Sequence, residues 1–276
     1  MLDVRGLSLS LGEFSLDGVD LTVDDGEYFI ILGPTGAGKT ILLETIAGIY
    51  APASGTISLD GRDITRTDPK DRGIGMVYQD YMLFPHLTVE ENIGFGLLQR
   101  KTEPDRIREL VSETADLLGI GHLLDRTPGT LSGGEQQRAA AIARALVLRP
   151  RVLLLDEPLS ALDAVTRDRL RRELKAVHRA TGTTVVHITH HFEDIFALAD
   201  RVAVMQDGRI AQTGTPDEVF RKPATEFVAA FTGMENVFYG VSRVRDGEAT
   251  IDLGAITLRT VTAVEGDVCV ASGPRR

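Results

Sequence analysis

The chain has 276 residues, of which 43% are hydrophobic and 25% charged, and its formal net charge is −10. This acidic balance argues against non-specific binding to nucleic acid or to an anionic membrane surface. A single cysteine excludes an internal disulfide. The sequence has no signal peptide and no apolar run near the roughly 20 residues of a membrane-spanning helix. We therefore expect a cytoplasmic chain that reaches a membrane only through a partner.

Short apolar runs bounded by Gly, Asp or Pro predict four strands, with helix-period segments between them. The predicted strands are Tyr28–Leu32, Val152–Leu155, Thr184–Ile188 and Arg201–Val204. Strands that alternate with helices indicate a largely parallel sheet covered by helices. Continuous apolar runs such as VLLLD fit such a sheet better than a half-exposed antiparallel one. The sequence therefore predicts an α/β fold.

Two segments, Asp105–Leu118 and Thr166–Ala180, predict amphipathic helices because their apolar residues recur at helical spacing. The predicted stripe of the first helix is Ile107, Leu110, Val111, Leu117 and Leu118. That of the second is Leu170, Leu174 and Val177, with Arg and Glu on the opposite side.

Two regions depart from this alternation. From about Gln79 to Ala145 the pattern is mostly helical, which predicts an inserted α-helical subdomain. After Gly233 the pattern changes to short β-prone pieces separated by turns: NVFYGVSRV, ATIDLGAITLRTV and GDVCVAS. We therefore predict one domain over residues 1–232 and a β-rich segment over residues 233–276.

The segment GPTGAGKT matches the phosphate-loop pattern G-x-x-x-x-G-K-[ST] and lies between a predicted strand, YFIIL, and a predicted helix. Its glycines allow backbone N–H groups to surround phosphate oxygens. A lysine charge would reach the β- and γ-phosphates, and a threonine hydroxyl would bind Mg²⁺. The alternative is a glycine-rich turn with a surface lysine. The predicted nucleotide-binding residues are Gly33, Pro34, Thr35, Gly36, Ala37, Gly38, Lys39 and Thr40.

Two adjacent acids end the buried strand of RVLLLDEPLSALD. Asp156 is placed to hold Mg²⁺ directly or through water, and Glu157 to orient and deprotonate the water that attacks the γ-phosphate. A solvated turn is the alternative for such an acid pair. The phosphate loop favours the functional interpretation, because acids beside a phosphate site are usually part of it.

His190 and Gln79 are the other catalytic candidates. His190 follows the strand Thr184–Ile188, where a neutral imidazole can bond the γ-phosphate and the attacking water. Its neighbours His187 and His191 are interpreted as structural, which is also the alternative for His190. Gln79 begins the helical subdomain and can bind Mg²⁺ or water, or can simply satisfy backbone groups.

A second anion-binding helix start lies in LSGGEQQRAAAIARAL, where Ser132, Gly133 and Gly134 precede a helical run. Because it belongs to the inserted subdomain, it serves a nucleotide held by another copy better than one held by its own phosphate loop. Two copies related by a two-fold axis would then bury two ATP molecules. Asp163, after the acid pair, is suited to communicate between the two sites.

These motifs, in this order and over residues 1–232, resemble the nucleotide-binding ATPase subunits of ABC transporters. The resemblance rests on GPTGAGKT, Gln79, LSGGEQQ, VLLLDE, SALD and His190. It implies that Ser132, Gly133, Gly134 and Gln136 belong to the signature motif that contacts ATP. It also implies that Gln79 is the Q-loop residue, that His190 is the switch histidine, and that YMLFPHLTVEENIGFGL receives a coupling helix of a membrane subunit.

Within this family the chain is most similar to importer ATPases for molybdate, tungstate and related oxyanions, through GEYFIILGPTGAGKT, YQDYMLFPHLTV, HLLDRTPGTLSGGEQQR and GMENVFYG. The resemblance implies ATP and Mg²⁺ as cofactors and a homodimer at the cytoplasmic face of the membrane. It also implies a separate permease, an extra-cytoplasmic substrate-binding protein and no nucleic-acid partner. Importers of phosphate, sulfate, iron, polyamines and sugars have nearly the same ATPase and stay open as alternatives.

The sequence departs from the family pattern in three places. Leu11 stands where an aromatic residue usually stacks on adenine, so either Phe14, the nearest aromatic residue, makes that contact or adenine is bound more weakly. His191 stands at the position after the switch histidine, where the family commonly has an Asp. Residues 235–276 match only part of the β-barrel (OB-like) regulatory domain of several relatives.

Three other classes of P-loop protein stay open. They are a soluble ABC ATPase of DNA repair or translation, a small-molecule kinase that has no use for LSGGEQQ, and an exporter ATPase.

Overall fold

The computed structural model describes residues 1–131, 133–160, 162–233, 236–245, 248–252, 257–260 and 265–272. The chain separates into two compact units, Met1–Pro216 and Asp217–Arg276. The predicted division at residue 232 stays a prediction. No helix within the described ranges is long and apolar enough to cross a membrane.

Strands and helices alternate along the first unit. Its strands are β1 (Leu2–Leu11), β2 (Phe14–Val23), β3 (Tyr28–Leu32), β4 (Ser54–Leu59), β5 (Arg62–Asp63), β6 (Ile74–Val77), β7 (Val152–Asp156), β8 (Thr184–Ile188), β9 (Arg201–Gln206) and β10 (Arg209–Gly214). Its helices are α1 (Lys39–Ala47), α2 (Val89–Gln99), α3 (Pro104–Leu117), α4 (Gly133–Leu146), α5 (Ala164–Thr181) and α6 (Phe192–Leu198), and α7 (Pro216–Arg221) begins at its last residue.

The central sheet has six strands in the order β10-β9-β3-β8-β7-β6. All neighbouring pairs are parallel except β9 and β10. Every residue of β3, β7 and β8 is buried, as expected for strands covered on both faces. Because their carboxyl ends meet at one edge, the loops that follow β3, β7 and β8 are brought together there.

A second sheet, antiparallel in the order β2-β1-β4-β5, packs with the central sheet around one hydrophobic core that includes α1. The sequence analysis assigned no strand before Tyr28. Register shifts between Val4 and Leu7 and between Leu7 and Leu9 interrupt the alternation of buried and exposed residues in β1. These irregularities hide the two-residue period that identifies a strand.

Between β6 and β7 the described residues form helices and no strand, as the inserted helical subdomain predicts. Helix α2 packs against α3 and α4 and begins with a capping box of Thr88 and Glu91. One predicted core residue of α3 is wrong: Leu117 is 41% exposed, although Val111 and Leu118 are buried. Leu117 is the last residue of the helix, and its neighbour Leu118 enters the core instead.

The second unit contains a helix, α8 (Glu226–Phe231), and a four-stranded antiparallel sheet. The sheet strands are β11 (Asn236–Arg245), β12 (Glu248–Asp252), β13 (Thr257–Thr260) and β14 (Gly266–Ser272), in the order β13-β12-β11-β14. They coincide with the predicted β-prone pieces. The predicted α/β fold, with its parallel-rich sheet, helical insertion and β-rich end, is confirmed.

Candidate active site

The loop between β3 and α1 requires glycine at its two ends. Gly33 has φ +151°, and a Cβ there would lie 2.3 Å from the backbone oxygen of Met205. Gly38, in the left-handed region with φ 95°, is the N-cap of α1. The backbone therefore turns sharply at both ends of the loop in ways that other residues adopt only with strain. Its N–H groups and the helix start form an anion-binding concavity.

Lys39 is held by the loop that it follows. Its Nζ donates hydrogen bonds to the backbone oxygens of Gly33 and Pro34, both at 2.8 Å. Burial lowers the pKa of this ammonium group, while the negative charges of Glu157 and Asp156 oppose that shift. The lysine thus places a positive charge inside the phosphate loop.

Thr40 and Asp156 meet across the edge of the sheet, although 116 positions separate them in sequence. The Thr40 hydroxyl donates to the two carboxylate oxygens of Asp156 at 3.0 and 3.3 Å. Burial raises the pKa of Asp156, the Thr40 hydrogen bond and the Lys39 charge lower it, and the nearby Glu157 raises it. The hydroxyl and the buried carboxylate are oxygen ligands of the type that Mg²⁺ prefers.

Glu157 occupies an unusual backbone conformation at the end of β7. Its φ is +47°, and its amide donates to the backbone oxygen of Ile188 at 3.0 Å. A non-glycine residue in this region is strained, and such residues concentrate at functional sites. The Glu157 carboxylate lies 3.2 Å from Nδ1 of His190. The predicted base and the predicted switch histidine are therefore in direct contact.

A cleft of about 290 Å³ opens over the phosphate loop. Its described lining consists of Phe14, Thr35, Gly36, Gly38, Lys39, Thr40, Ile41, Gln79, Glu157 and Ile188. Gln79 is exposed rather than buried, so its amide is available to the cleft. Residues from five separate parts of the sequence thus converge on one space, and Asp156 and His190 join it through Thr40 and Glu157.

Phe14 and Leu11 differ in their surroundings. Phe14 is 50% exposed and lines the cleft, and its ring lies 3.9 Å from the position that a Cβ on Gly36 would take. Leu11, its cross-strand partner in the β1–β2 hairpin, packs against the hydrophobic core. An exposed aromatic ring beside the cleft is therefore present despite the leucine.

Gln136 and Asp163 are absent from the described lining of this cleft. Its described lining contains no residue of α4, the helix that begins with Gly133 and Gly134. Gln136 lines a different cleft, of about 310 Å³, with Arg169 and Glu173. Asp163 is exposed and caps α5 by accepting from two backbone amides. Ser132 lies outside the described residues.

Size does not identify the site. A larger cleft, of about 680 Å³, includes Gly26, Arg151 and Thr184. These residues lie at the amino ends of β3, β7 and β8, opposite the phosphate loop. None of the predicted site residues lines it.

Three functional candidates escaped the sequence analysis. Arg171 donates to Asp194 at 2.9 Å, and the Thr189 hydroxyl donates to the same carboxylate at 2.8 Å. Thr189 directly precedes His190. No sequence signal marks this chain of hydrogen bonds, because an acid in the first turn of a helix is usually a solvated residue. The fold instead buries Asp194 completely.

His187 lies within β8 and is fully buried. Its Nδ1 is 3.0 Å from the hydroxyl group of Tyr28 on β3. Burial lowers the pKa of His187 to about 4. This histidine therefore remains neutral inside the sheet, in keeping with its interpretation as a structural residue.

Comparison with known proteins identifies consistent relatives. Residues 16–160 match the family model described as ABC transporter. The chain is 51% identical over 245 residues to the molybdate/tungstate import ATP-binding protein WtpC of Thermococcus kodakarensis, covering 89% of this chain and 74% of that protein. It is 50% identical over 239 residues to the sulfate/thiosulfate import ATP-binding protein CysA 2 of Chromobacterium violaceum, covering 85% of this chain and 64% of that protein.

Among solved structures, a dimeric post-hydrolysis state of the ATP-binding cassette MJ0796, bound to ADP and Pi, is similar with a TM-score of 0.69. The two sequences are 29% identical, and the match covers 78% of this chain and 99% of the cassette. The similarity includes nearly the whole of that cassette.

Proposed function

Because this chain belongs to the ABC transporter family and is an importer ATPase, we propose that two copies of it close on two ATP molecules and drive a separate permease. The proposed cargo is molybdate, tungstate or a similar oxyanion. The observation that carries the proposal is the cleft that Lys39, Gln79 and Glu157 share, whose described lining includes no residue of α4. Such a cleft is half of a site that a second copy can complete.

The residues of the cleft fit ATP with Mg²⁺. Lys39 and the N–H groups of the phosphate loop would hold the β- and γ-phosphates, and Phe14 would stack on adenine. The hydroxyl of Thr40, the carboxylate of Asp156 and the amide oxygen of Gln79 would hold the metal ion. When bound, Mg²⁺ supplies positive charge that offsets the charge on the phosphate oxygens.

Glu157 and His190 would act on the attacking water. The Glu157 carboxylate would accept a proton from the water while the water oxygen bonds to the γ-phosphorus and ADP leaves. The His190 imidazole, 3.2 Å from that carboxylate, would bond the γ-phosphate and orient the same water. Their contact supports a shared role.

A second copy would supply the other half of each site. Ser132, Gly133, Gly134 and Gln136 of one chain would face the γ-phosphate bound by the other chain. The positive end of α4 favours such an anion. Asp163, exposed at the start of α5, would connect the two sites. The dimeric state of the similar MJ0796 cassette supports this arrangement. Loss of the γ-phosphate on hydrolysis would open the pair.

The proposed complex lies at the cytoplasmic face of the membrane, where the ATPase binds its permease and an extra-cytoplasmic protein delivers the cargo. The segment YMLFPHLTVEENIGFGL is the proposed docking surface. Its Met82 is 57% exposed, and Leu98, which directly follows the segment, is 61% exposed. Both are consistent with side chains that a partner covers. The name of the relative WtpC supports molybdate or tungstate, and the name of the relative CysA 2 makes sulfate the competing cargo.

The proposed mechanism is tested by Glu157→Gln, which keeps the size of the side chain and removes the base. We expect ATP to hold this variant as a stable dimer that hydrolyses at least 100-fold more slowly than the original chain. Size-exclusion chromatography with ATP and phosphate release measure the two effects. Brisk hydrolysis by the variant would remove Glu157 from its proposed role.

The cargo is tested separately, in vesicles that contain the ATPase, its co-purified permease and the binding protein. We expect molybdate and tungstate to stimulate ATP hydrolysis, whereas equal concentrations of sulfate do not. Stimulation by sulfate alone would reassign the cargo and leave the ATPase mechanism intact.

A further inference from the structure

A buried chain of hydrogen bonds runs from Arg171 through Asp194 and Thr189 to the backbone amide of His191, next to His190. We propose that Thr189 and Asp194, held by Arg171, are positioning residues that set the direction of the His190 imidazole toward Glu157. This inference rests on the proposed role of His190 in ATP hydrolysis and adds residues that the motifs do not include.

The chain starts on α5 and crosses to α6. Arg171 Nε donates to Asp194 Oδ1 at 2.9 Å, and the second oxygen of that carboxylate accepts from the Thr189 hydroxyl at 2.8 Å. The exposed fractions of Asp194, Thr189 and Arg171 are 0%, 3% and 8%. Buried polar contacts of this kind are rigid, because breaking one leaves an unsatisfied group away from water.

Thr189 connects this chain to the backbone on both sides of His190. Its hydroxyl oxygen accepts from the amide of His191 at 3.1 Å, and its own amide donates to Ile31 at the end of the phosphate-loop strand. His190 thus lies between two restrained peptide units. Its side chain is 51% exposed, and its ring contacts the Glu157 carboxylate and the His191 ring, whose centroid lies 4.1 Å away. Because Thr189 holds the amide of His191, the same chain of hydrogen bonds restrains the backbone on which both rings are carried.

The three acidic residues that contact Arg171 differ in their exposure and in their further contacts. Asp168 and Glu193 also contact its guanidinium group, but their side chains are 61% and 76% exposed. Asp194 alone among them is buried and continues to Thr189. A buried ion pair contributes little net stability once its desolvation is counted. Its connection through Thr189 to the backbone beside His190 favours a positioning role.

The test compares Thr189→Val with Thr189→Ser in the reconstituted transport complex. Valine keeps the shape of threonine but removes the hydroxyl, so we expect kcat for ATP hydrolysis to fall about tenfold or more. Serine keeps the hydroxyl and should retain most of the turnover. The affinity for ADP, which lacks the γ-phosphate, should stay unchanged in both variants.

Two further variants keep the test decisive if Thr189→Val does not fold. Asp194→Asn keeps the size of the side chain but not its charge and should lower kcat while ADP affinity stays unchanged. The control, Glu193→Gln, changes the neighbouring exposed acid, which contacts Arg171 but not Thr189, and should leave kcat unchanged.

The outcomes separate this inference from the proposed function. Normal turnover in Thr189→Val and Asp194→Asn, with turnover abolished in Glu157→Gln, would overturn the positioning role alone. Parallel losses of kcat, ADP affinity and thermal stability would also overturn it, because they would show a merely structural role. Normal turnover in Glu157→Gln would instead contradict the proposed mechanism.

Discussion

The two anion-binding helix starts of this chain differ in how much of their surroundings the chain itself supplies. The start of α1 faces a cleft that includes Lys39, Gln79 and Glu157. The start of α4 contributes nothing to the described lining of that cleft, and the helix packs against α2, α3 and β6. One polypeptide therefore carries a cleft lined by its phosphate loop and, in α4, a second helix start that is absent from the described lining of that cleft.

This difference teaches how catalysis can be made to depend on association. A cleft with its lysine, carboxylates and histidine in place can bind nucleotide alone. If the helix start that stabilises the γ-phosphate comes from another copy, hydrolysis requires the dimer. The three predictions that follow alter one half of this arrangement at a time.

The largest expected effect is that of Gly134→Asp, which adds a negative charge where the proposed dimer holds the γ-phosphate. We expect about 100-fold slower hydrolysis with nearly unchanged ATP binding. An acid in the first turn of a helix is favourable for folding, so the loss should be specific. Phosphate release and ATP titration measure the two quantities. The control Gly129→Asp adds the same acid at a nearby exposed glycine with open space around it and should be neutral.

A mixture of the Gly134→Asp variant with a second variant tests the shared site more directly. Lys39→Ala removes the other half of the site and should also abolish hydrolysis. In a mixed dimer, however, the intact phosphate loop of one chain faces the intact α4 of the other. Random pairing of equal amounts should restore roughly a quarter of the original rate. No recovery on mixing would contradict the shared site.

The next effect concerns the stability of the phosphate-loop half. His187 is buried against Tyr28 with a pKa of about 4, below its value in the unfolded chain. The contribution of the neutral histidine to stability is complete above the pKa of about 6.5 that it has in the unfolded chain. This contribution is lost as the pH falls toward 4, because the unfolded chain then binds a proton that the folded chain does not. Between pH 7.5 and 5.0 this histidine should lower the free energy of unfolding by about 2 kcal/mol.

Urea denaturation at the two pH values measures this change. His187→Gln should remove about 2 kcal/mol of the pH dependence, while His122→Gln, at an exposed position, should leave it intact. An unchanged pH dependence in His187→Gln would show that the titration resides elsewhere.

The smallest expected effect is that of Phe14→Ala, which removes the exposed ring beside the cleft. If the ring stacks on adenine, the KM for ATP should rise about tenfold with little change in kcat. Phe196→Ala removes a ring of similar exposure, 53% against 50%, that does not line the cleft. Equal KM values for the two variants would exclude Phe14 from adenine binding.

Much of the fold was predictable because its signals are local. The strand predictions Tyr28–Leu32 and Thr184–Ile188 coincide with β3 and β8, since strands buried on both faces are continuous apolar runs. The strand β7 extends one residue beyond its prediction and includes Asp156. The irregular strand β1 was not predicted, and the predicted burial of Leu117 at the end of α3 was wrong. Burial at both places depends on partners that are distant in sequence.

The candidate site shows the same division. Thr40 and Asp156 were each assigned from motifs, but their hydrogen bond is visible only in the folded chain. The left-handed backbone of Glu157 has no sequence signature, because an ordinary residue adopts it only when surrounding contacts enforce it.

The sequence by itself determined the phosphate loop, the acid pair, the second helix start and the family, because these rest on residue types at fixed spacing along the chain. Only the tertiary structure decided which of them share a cleft, that Phe14 rather than Leu11 is exposed beside it, and that Asp194 is buried against Thr189, the residue before His190. The physical reason is that distance and burial arise from the packing of strands and helices far apart in sequence, whereas motif spacing does not.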